Sequence, residues 1–269
     1  MPLDPQAVPA PIGRSRPKTG SLVTVGVVWR RTDFRESSRV VSLLTRDHGR
    51  VSGLAKGAHR PDSVFLGRLD FLNEVAATFS PDRGGLRLLV RAELRRERRA
   101  LRDPARFLAA SHLAQLCDFA MPDDRPEPAI YDLLVGGLAL LERCRPTAIP
   151  HIVLGLELRY LDHLGALPDL HHCAECGVGL QAGAFRSGDA PGLLCRQHAD
   201  LPRHAIGAAS LQLLQRLHST PGREWPELTP DGTARLAAPL PATWLAAATE
   251  QRSRWRSLVF HRHYDDAGS

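Results

Sequence analysis

Two short motifs restrict this chain more than any hydrophobic pattern does. They are Cys173-Ala-Glu-Cys176 and Cys195-Arg-Gln-His198, with eighteen residues between them. Two residues between paired donors let one tight turn aim both at a single ion. Gly177 and Gly179 relieve the turn after the first pair. A tetrahedral zinc ion takes four such sulfur and nitrogen ligands, and two knuckles at this separation read as a zinc site. The expected ligands are Cys173, Cys176, Cys195 and His198, with His171 and His172 as rivals for the fourth place. A closed ligand set leaves no position for water, so the metal would be structural. Cys117 and Cys144 stand singly on apolar helical runs and are expected in the core. With the knuckles explained by metal, disulfides are not needed, which agrees with a reducing cytoplasm.

The chain around this knot is helical. Pro104 to Met121 reads as a helix opened by proline, and Pro122 to Pro126 breaks it. Ala129 to Cys144 and Ile149 to Leu164 are the next two helices, and Ser210 to Leu217 is a shorter one. Thr220 to Thr229 is expected to be a loop, and Pro241 to about His263 a last helix. The longest apolar run, Leu133 to Leu141, is nine residues, against about 20 for a membrane span. The proline-rich first twenty residues lack a signal peptide's apolar centre, so a cytoplasmic protein is expected.

Residues 21 to 100 have a different texture. Val23, Val25, Val27 and Trp29 alternate with Thr24, Gly26 and Val28, as in a strand buried on both faces near a barrel closure. Val40 to Arg46 and Val51 to Lys56 flank a turn and form a hairpin. Leu69 to Phe79 and Leu86 to Leu94 are the fourth and fifth strands. Five strands in about 80 residues suit a small barrel, of the OB or the SH3-like kind. The expected organisation is a flexible tail over 1–20, a barrel over 21–100 and a helical domain over 101–269. The zinc module, 171–200, is set into the last.

Charge is unevenly spread between these parts. Residues 1–100 hold 19 basic and 10 acidic residues, whereas residues 101–269 hold 16 and 19. The first part should attract polyanions. On the fifth strand Arg87, Arg91 and Arg95 are expected on one face, with Leu86, Leu88, Val90, Ala92 and Leu94 on the other. Arginines four apart on a strand stand about 13 Å apart, roughly every second phosphate of an extended strand. Arg35 and Arg39 crowd the turn after strand one, and Lys56 and Arg60 follow strand three. These seven residues are the candidate DNA contacts, made to phosphate rather than to bases. The plain alternative is a solvated face whose arginines pair with Asp33, Glu36, Glu93 and Glu97. Aromatic residues are few here, which argues against base stacking. No phosphate-binding GxxxxGK[ST], GxSxG or HExxH is present, and no catalytic centre is evident, so a binding protein is expected rather than an enzyme.

Several of these residues fall into a familiar order. Gly26-Val-Val-Trp-Arg-Arg-Thr-Asp-Phe-Arg-Glu36-Ser, then Leu44-Thr45, Gly49-Arg50 and Ala55-Lys56-Gly57-Ala58, resemble the N-terminal OB domain of the bacterial RecO recombination mediators. Leu158-Arg-Tyr-Leu-Asp-His-Leu-Gly165, running into Cys173-Ala-Glu-Cys176-Gly177, resembles the helix and zinc module of that family. Trp255-Arg-Ser-Leu258 resembles its closing segment. The last metal position is often cysteine in that family; here it is His198. The resemblance implies an α+β protein: a five-stranded OB barrel followed by a helical domain carrying a zinc finger. It implies DNA repair by homologous recombination at the nucleoid. It further implies binding of single- and double-stranded DNA, annealing of complementary strands and, with RecR, loading of RecA onto strands coated by SSB. SSB would dock by its C-terminal tail. A zinc-containing RNA-binding or transcription-related module is the alternative, and a DNA-against-RNA competition separates the two.

Overall fold

The computed structural model describes residues 20–82, 84–187, 192–199, 205–228 and 232–261. The expected tail, apart from Gly20, lies outside them, as do 188–191 and 200 of the metal module and the final helix beyond His261.

Five strands close into a barrel in the order β1-β2-β3-β5-β4. They are β1 (Leu22–Phe34), β2 (Ser38–Thr45), β3 (Gly49–Ala55), β4 (Glu74–Phe79) and β5 (Arg87–Arg96). Closure removes sheet edges, which a lone five-stranded sheet would leave open. The narrowest seam is the parallel pairing of β3 with β5, through Gly53–Arg87 and Leu54–Leu88. Val28, Val41, Leu43, Val51, Phe79 and Leu89 fill the interior.

The fourth strand is shorter than the expected Leu69–Phe79, because residues 69 to 73 turn. Leu72 has φ of 66°, its N–H bonds to the Val28 carbonyl, and the Val28 N–H bonds to the Asn73 carbonyl. The fifth strand differs in its faces. Leu89 and Ala92 point inward, while Leu86, Leu88, Val90 and Leu94 are exposed. Phe79 pairs with Leu89 but Thr78 with Arg91, so Val90 is an extra residue; Arg95 is another opposite Glu74 and Val75. Each bulge inverts the alternation. Arg87 keeps step with the inward Leu89 and Arg91 does not, so Arg87, Arg91 and Arg95 do not share the one face expected of them.

The helical part begins at α1 (Pro104–Ala120), whose N-cap, Asp103, accepts a bond from the Arg106 N–H. α2 (Pro128–Arg143) and α3 (Ile149–His163) follow. Every residue of α3 from Ile149 to Leu158 is buried, as for the central helix of a bundle. Trp225 lies in a 3-10 turn over Gly222–Glu227, within the segment expected to be a loop, and its ring covers Gly155; any Cβ there would stand 2.7 Å from it. α4 (Ala208–Ser219) precedes it. The short α5 (Thr233–Ala237) was not expected, and the single last helix expected from Pro241 is instead α6 (Pro239–Thr249) and α7 (Arg256–His261). Glu250, with φ of 52°, ends α6 in the left-handed region. Three short strands, β6 (Ala184–Arg186), β7 (Leu193–Leu194) and β8 (Ala205–Ile206), form a small sheet that no periodicity announces.

Beside the cluster inside the barrel, a second and larger core joins the barrel to the helices. Val27, Trp29, Leu44 and Leu72 of the barrel are buried with the side chains of the helices. This explains the two apolar faces of β1: Val28 fills the barrel while Val27 and Trp29 face α-helices. Nearer the start of the strand Val23 and Val25 stay exposed.

Candidate nucleic-acid interface and metal centre

The barrel's arginines divide into those held by helical carboxylates and those left facing solvent. Asp118 of α1, only 2% exposed, receives Arg30 at 2.6 Å and Arg50 at 2.8 Å. Arg50 also pairs with Asp123, Arg46 with Asp132 through two bonds of 3.0 Å, and Arg87 with Asp124 at 2.6 Å. Arg96 and the buried Arg98 both meet Glu142. Their partners raise Arg46, Arg50 and Arg87 above the ordinary guanidinium value, Asp132, Asp123 and Asp124 respectively being the largest cause. Burial acts the other way on Arg98 and lowers it, against the pull of Glu142. Six arginines that counted toward the positive excess are thus spent on the seam between the two parts.

The candidate contacts fall on both sides of this division. Arg87 is a seam residue, gripped by Asp124 and Asp82. Arg39 pairs with Asp33 at 2.9 Å, and His59 Nε2 reaches the same oxygen. The Arg39 bond holds the exposed Asp33 carboxyl below its usual value. Arg91 pairs with Glu93, and Arg95 approaches the same carboxylate at 3.9 Å. Glu97 takes Arg99 and Arg102. Arg35, Lys56 and Arg60 are exposed and make no ion pair among the described residues; Arg35 lies over the Phe34 ring, 5.3 Å from its centre. The His59 N–H bonds to the Ser37 carbonyl at 3.1 Å, which fastens the segment carrying Lys56 and Arg60 to the β1–β2 hairpin carrying Arg35 and Arg39. Four of the seven candidates are therefore brought to one end of the barrel.

The four knuckle residues converge. One donor atom from each of Cys173, Cys176, Cys195 and His198 lies within 4.8 Å of the others. Cys176 Sγ is 3.9 Å from Cys195 Sγ, and His198 Nδ1 is 3.4 Å from Cys195 Sγ and 3.7 Å from Cys173 Sγ. A tetrahedral ion with sulfur at about 2.3 Å and nitrogen at about 2.0 Å would have edges of about 3.8 Å and about 3.5 Å. The cluster therefore fits a metal ion. His171 and His172 do not join it, and His172 Nδ1 pairs with Asp169 instead. Burial pushes the Cys173 thiol up, but the N–H groups of Cys195, Cys176 and Glu175 outweigh this and bring it down to about 6. A lowered thiol value favours the ionised form that a ligand must take. β7 joins the two knuckles, since the Ala174 N–H bonds to the Leu193 carbonyl, two residues before Cys195. Cys117 and Cys144 are buried among the helices, as expected.

Comparison with known proteins gives the same reading over most of the chain. Residues 21–98 match the profile of the "Recombination protein O N terminal" family, and residues 101–237 that of "Recombination protein O C terminal". A "DNA repair protein RecO" of Exiguobacterium sibiricum is 36% identical over 183 residues, 67% of this chain and 72% of that one. Proteins of the same name from Rhodopirellula baltica and Geobacter metallireducens are 30% identical over 226 residues and 31% over 203. These alignments span 81% and 73% of this chain, and 82% and 80% of the relatives. A closed five-stranded barrel, a helical part joined to it by shared core and ion pairs, and a Cys3His cluster accompany matches to both halves of one family: the chain belongs to the RecO family of DNA repair proteins.

Proposed function

We infer that this protein is a recombination mediator acting at the nucleoid, in the cytoplasm. It binds single- and double-stranded DNA with little regard to sequence and anneals complementary strands. With RecR it helps load RecA onto SSB-coated single strands. The observation that carries the DNA-binding part is the group of exposed cations without an ion pair among the described residues, Arg35, Lys56 and Arg60, at one barrel end. Arg39 beside them, and Arg91 and Arg95 on β5, would exchange exposed carboxylates for phosphates at little cost, since exposed ion pairs contribute about 0–1 kcal/mol. Arg87 is left out of this set, because Asp124 of the α1–α2 connection and Asp82 of the β4–β5 turn both hold it. Cations that neutralise phosphates on two strands lower the repulsion opposing their annealing.

Three thiolates and an imidazole favour zinc, which would tie the two knuckles together without offering an open position. A groove of about 770 Å³ between α1, α6 and α7 suits the C-terminal tail of SSB. Leu116, Leu245, Ala246 and Phe260 give it apolar walls, and the exposed Arg252 supplies positive charge.

The test is strand annealing by the purified protein at rising salt, together with the Lys56→Glu/Arg60→Glu variant. Annealing should fall steeply with salt. The variant should bind random sequences about equally weakly and show a salt slope shallower by about one to two. Unchanged binding by that variant at low salt would refute the barrel-end interface.

A further inference from the structure

The barrel carries most of the exposed apolar side chains among the described residues, and two of them sit on one short, rigid loop. Val64 is 60% and Leu66 68% exposed, yet Phe65 between them is 6% exposed and belongs to the barrel core with Leu69. The loop is not slack. Successive turns run from Gly57 to Arg68: Arg60 N–H to Gly57, Ser63 to Arg60, Leu66 to Ser63 and Arg68 to Phe65. At one end His59 holds it to the β1–β2 hairpin. At the other the Arg68 guanidinium donates to the Ala92 carbonyl of β5 at 2.9 Å. Phe65 therefore acts as a pin that presents Val64 and Leu66 to solvent in a fixed orientation.

The surroundings say what such a pair could meet. Lys56 and Arg60 are on the same loop, and Arg35 and Arg39 on the hairpin fastened to it. Across residues 33–39 and 56–68, five cations face three carboxylates. Two aliphatic side chains are too few for a stable protein interface, which buries about 800 Å² on each partner. An apolar point flanked by cations instead matches a nucleic-acid strand, whose anionic backbone encloses apolar base faces. Side chains such as Leu and Ile wedge between base steps in this way.

We propose that Val64 and Leu66 form an apolar wedge that contacts the bases of single-stranded DNA while Lys56 and Arg60 hold its phosphates. This rests on the DNA-binding reading above and adds to it a contact that phosphate recognition does not supply. It gives the annealing function a specific device: a strand held with bases turned against the loop is kept from folding on itself.

The full chain is tested against two oligomers of equal length and charge, a mixed-sequence DNA strand and an abasic sugar-phosphate strand. The wild type should bind the base-bearing strand about fivefold more tightly, less than full burial of one Val or Leu side chain contributes. Val64→Ser/Leu66→Ser should lose that preference with its salt slope and melting temperature unchanged, and Val64→Ile/Leu66→Met should keep it. Lys56→Ala/Arg60→Ala should weaken both oligomers alike. Equal wild-type binding of the two oligomers, or a serine variant that keeps the preference, overturns the wedge and leaves phosphate binding standing. Failure to bind either oligomer at low salt overturns both.

Discussion

Gly49 shows how much one residue can decide. It opens β3 with φ of 63°, and the chain beyond α1 passes directly over it. A Cβ there would stand 2.0 Å from the Arg125 carbonyl oxygen and 2.5 Å from that of Pro122. Both obstacles are backbone and cannot rotate away. Gly49→Ala should cost about 2–4 kcal/mol, measurable as a lowered urea midpoint. Glu157 decides another point. It is wholly buried on α3, bonded to His112 Nε2 at 2.7 Å and to Arg256 Nε and Nη2 at 2.7 and 2.8 Å. Burial pushes its carboxyl up, but Arg256 and then His112 outweigh this and lower it. A lowered folded value stabilises the protein above the unfolded carboxylate value, about 4.3, and the contribution fades as pH falls through the folded one. Glu157→Gln should cost about 3 kcal/mol at neutral pH, because it leaves Arg256 without its counter-charge. It should also flatten the stability-against-pH curve in the acid range, and a series of urea melts across pH reads both effects.

Among the elements, the metal module depends most on something other than packing. β6, β7 and β8 have three, two and two residues, too short to persist alone. They are held by the knuckles and by Leu180, Ala184 and Leu193, which reach the common core. If the cluster holds zinc as proposed, the purified protein should carry about one equivalent by atomic absorption, and strong chelation or Cys176→Ser should remove it and lower the melting temperature by several degrees. The barrel strands should keep their amide protection under the same treatment, because the cluster of Val28, Val41, Leu43 and Val51 inside the barrel contains no residue of the metal module. Both knuckle motifs were legible because two-residue spacing is local chemistry. Which histidine completes the set was not, since His171, His172 and His198 offer the same donor. Only the fold directs His172 to Asp169 and His198 to the sulfurs. β5 was legible as a strand but not in its faces, because its bulges depend on the partner strand β4.

The whole molecule is organised around its seam. Asp118, the most buried carboxylate there, receives Arg30 and Arg50 and stands beside the shared core. Asp118→Asn should destabilise by about 3 kcal/mol, since it leaves Arg50 with less compensation at a half-buried site. Equilibrium unfolding should remain a single transition, as one core runs through both parts. Equal midpoints by tryptophan fluorescence and by circular dichroism would establish this. The seam also corrects the arithmetic of charge. The positive excess of the first hundred residues overstates the surface available to DNA, because Arg30, Arg46, Arg50, Arg87, Arg96 and Arg98 answer carboxylates of α1, α2 and the connection between them.

The five barrel strands, the first four helices, the Cys3His knot and the existence of a basic barrel were set by local sequence, for each depends on spacing and residue type over a few positions. The division of the arginines, the outward turn of Val90 and the pinning of Val64 and Leu66 were decided only in three dimensions. Those features depend on which residues distant in the chain become neighbours, and a charge or an apolar side chain carries no mark of its eventual partner.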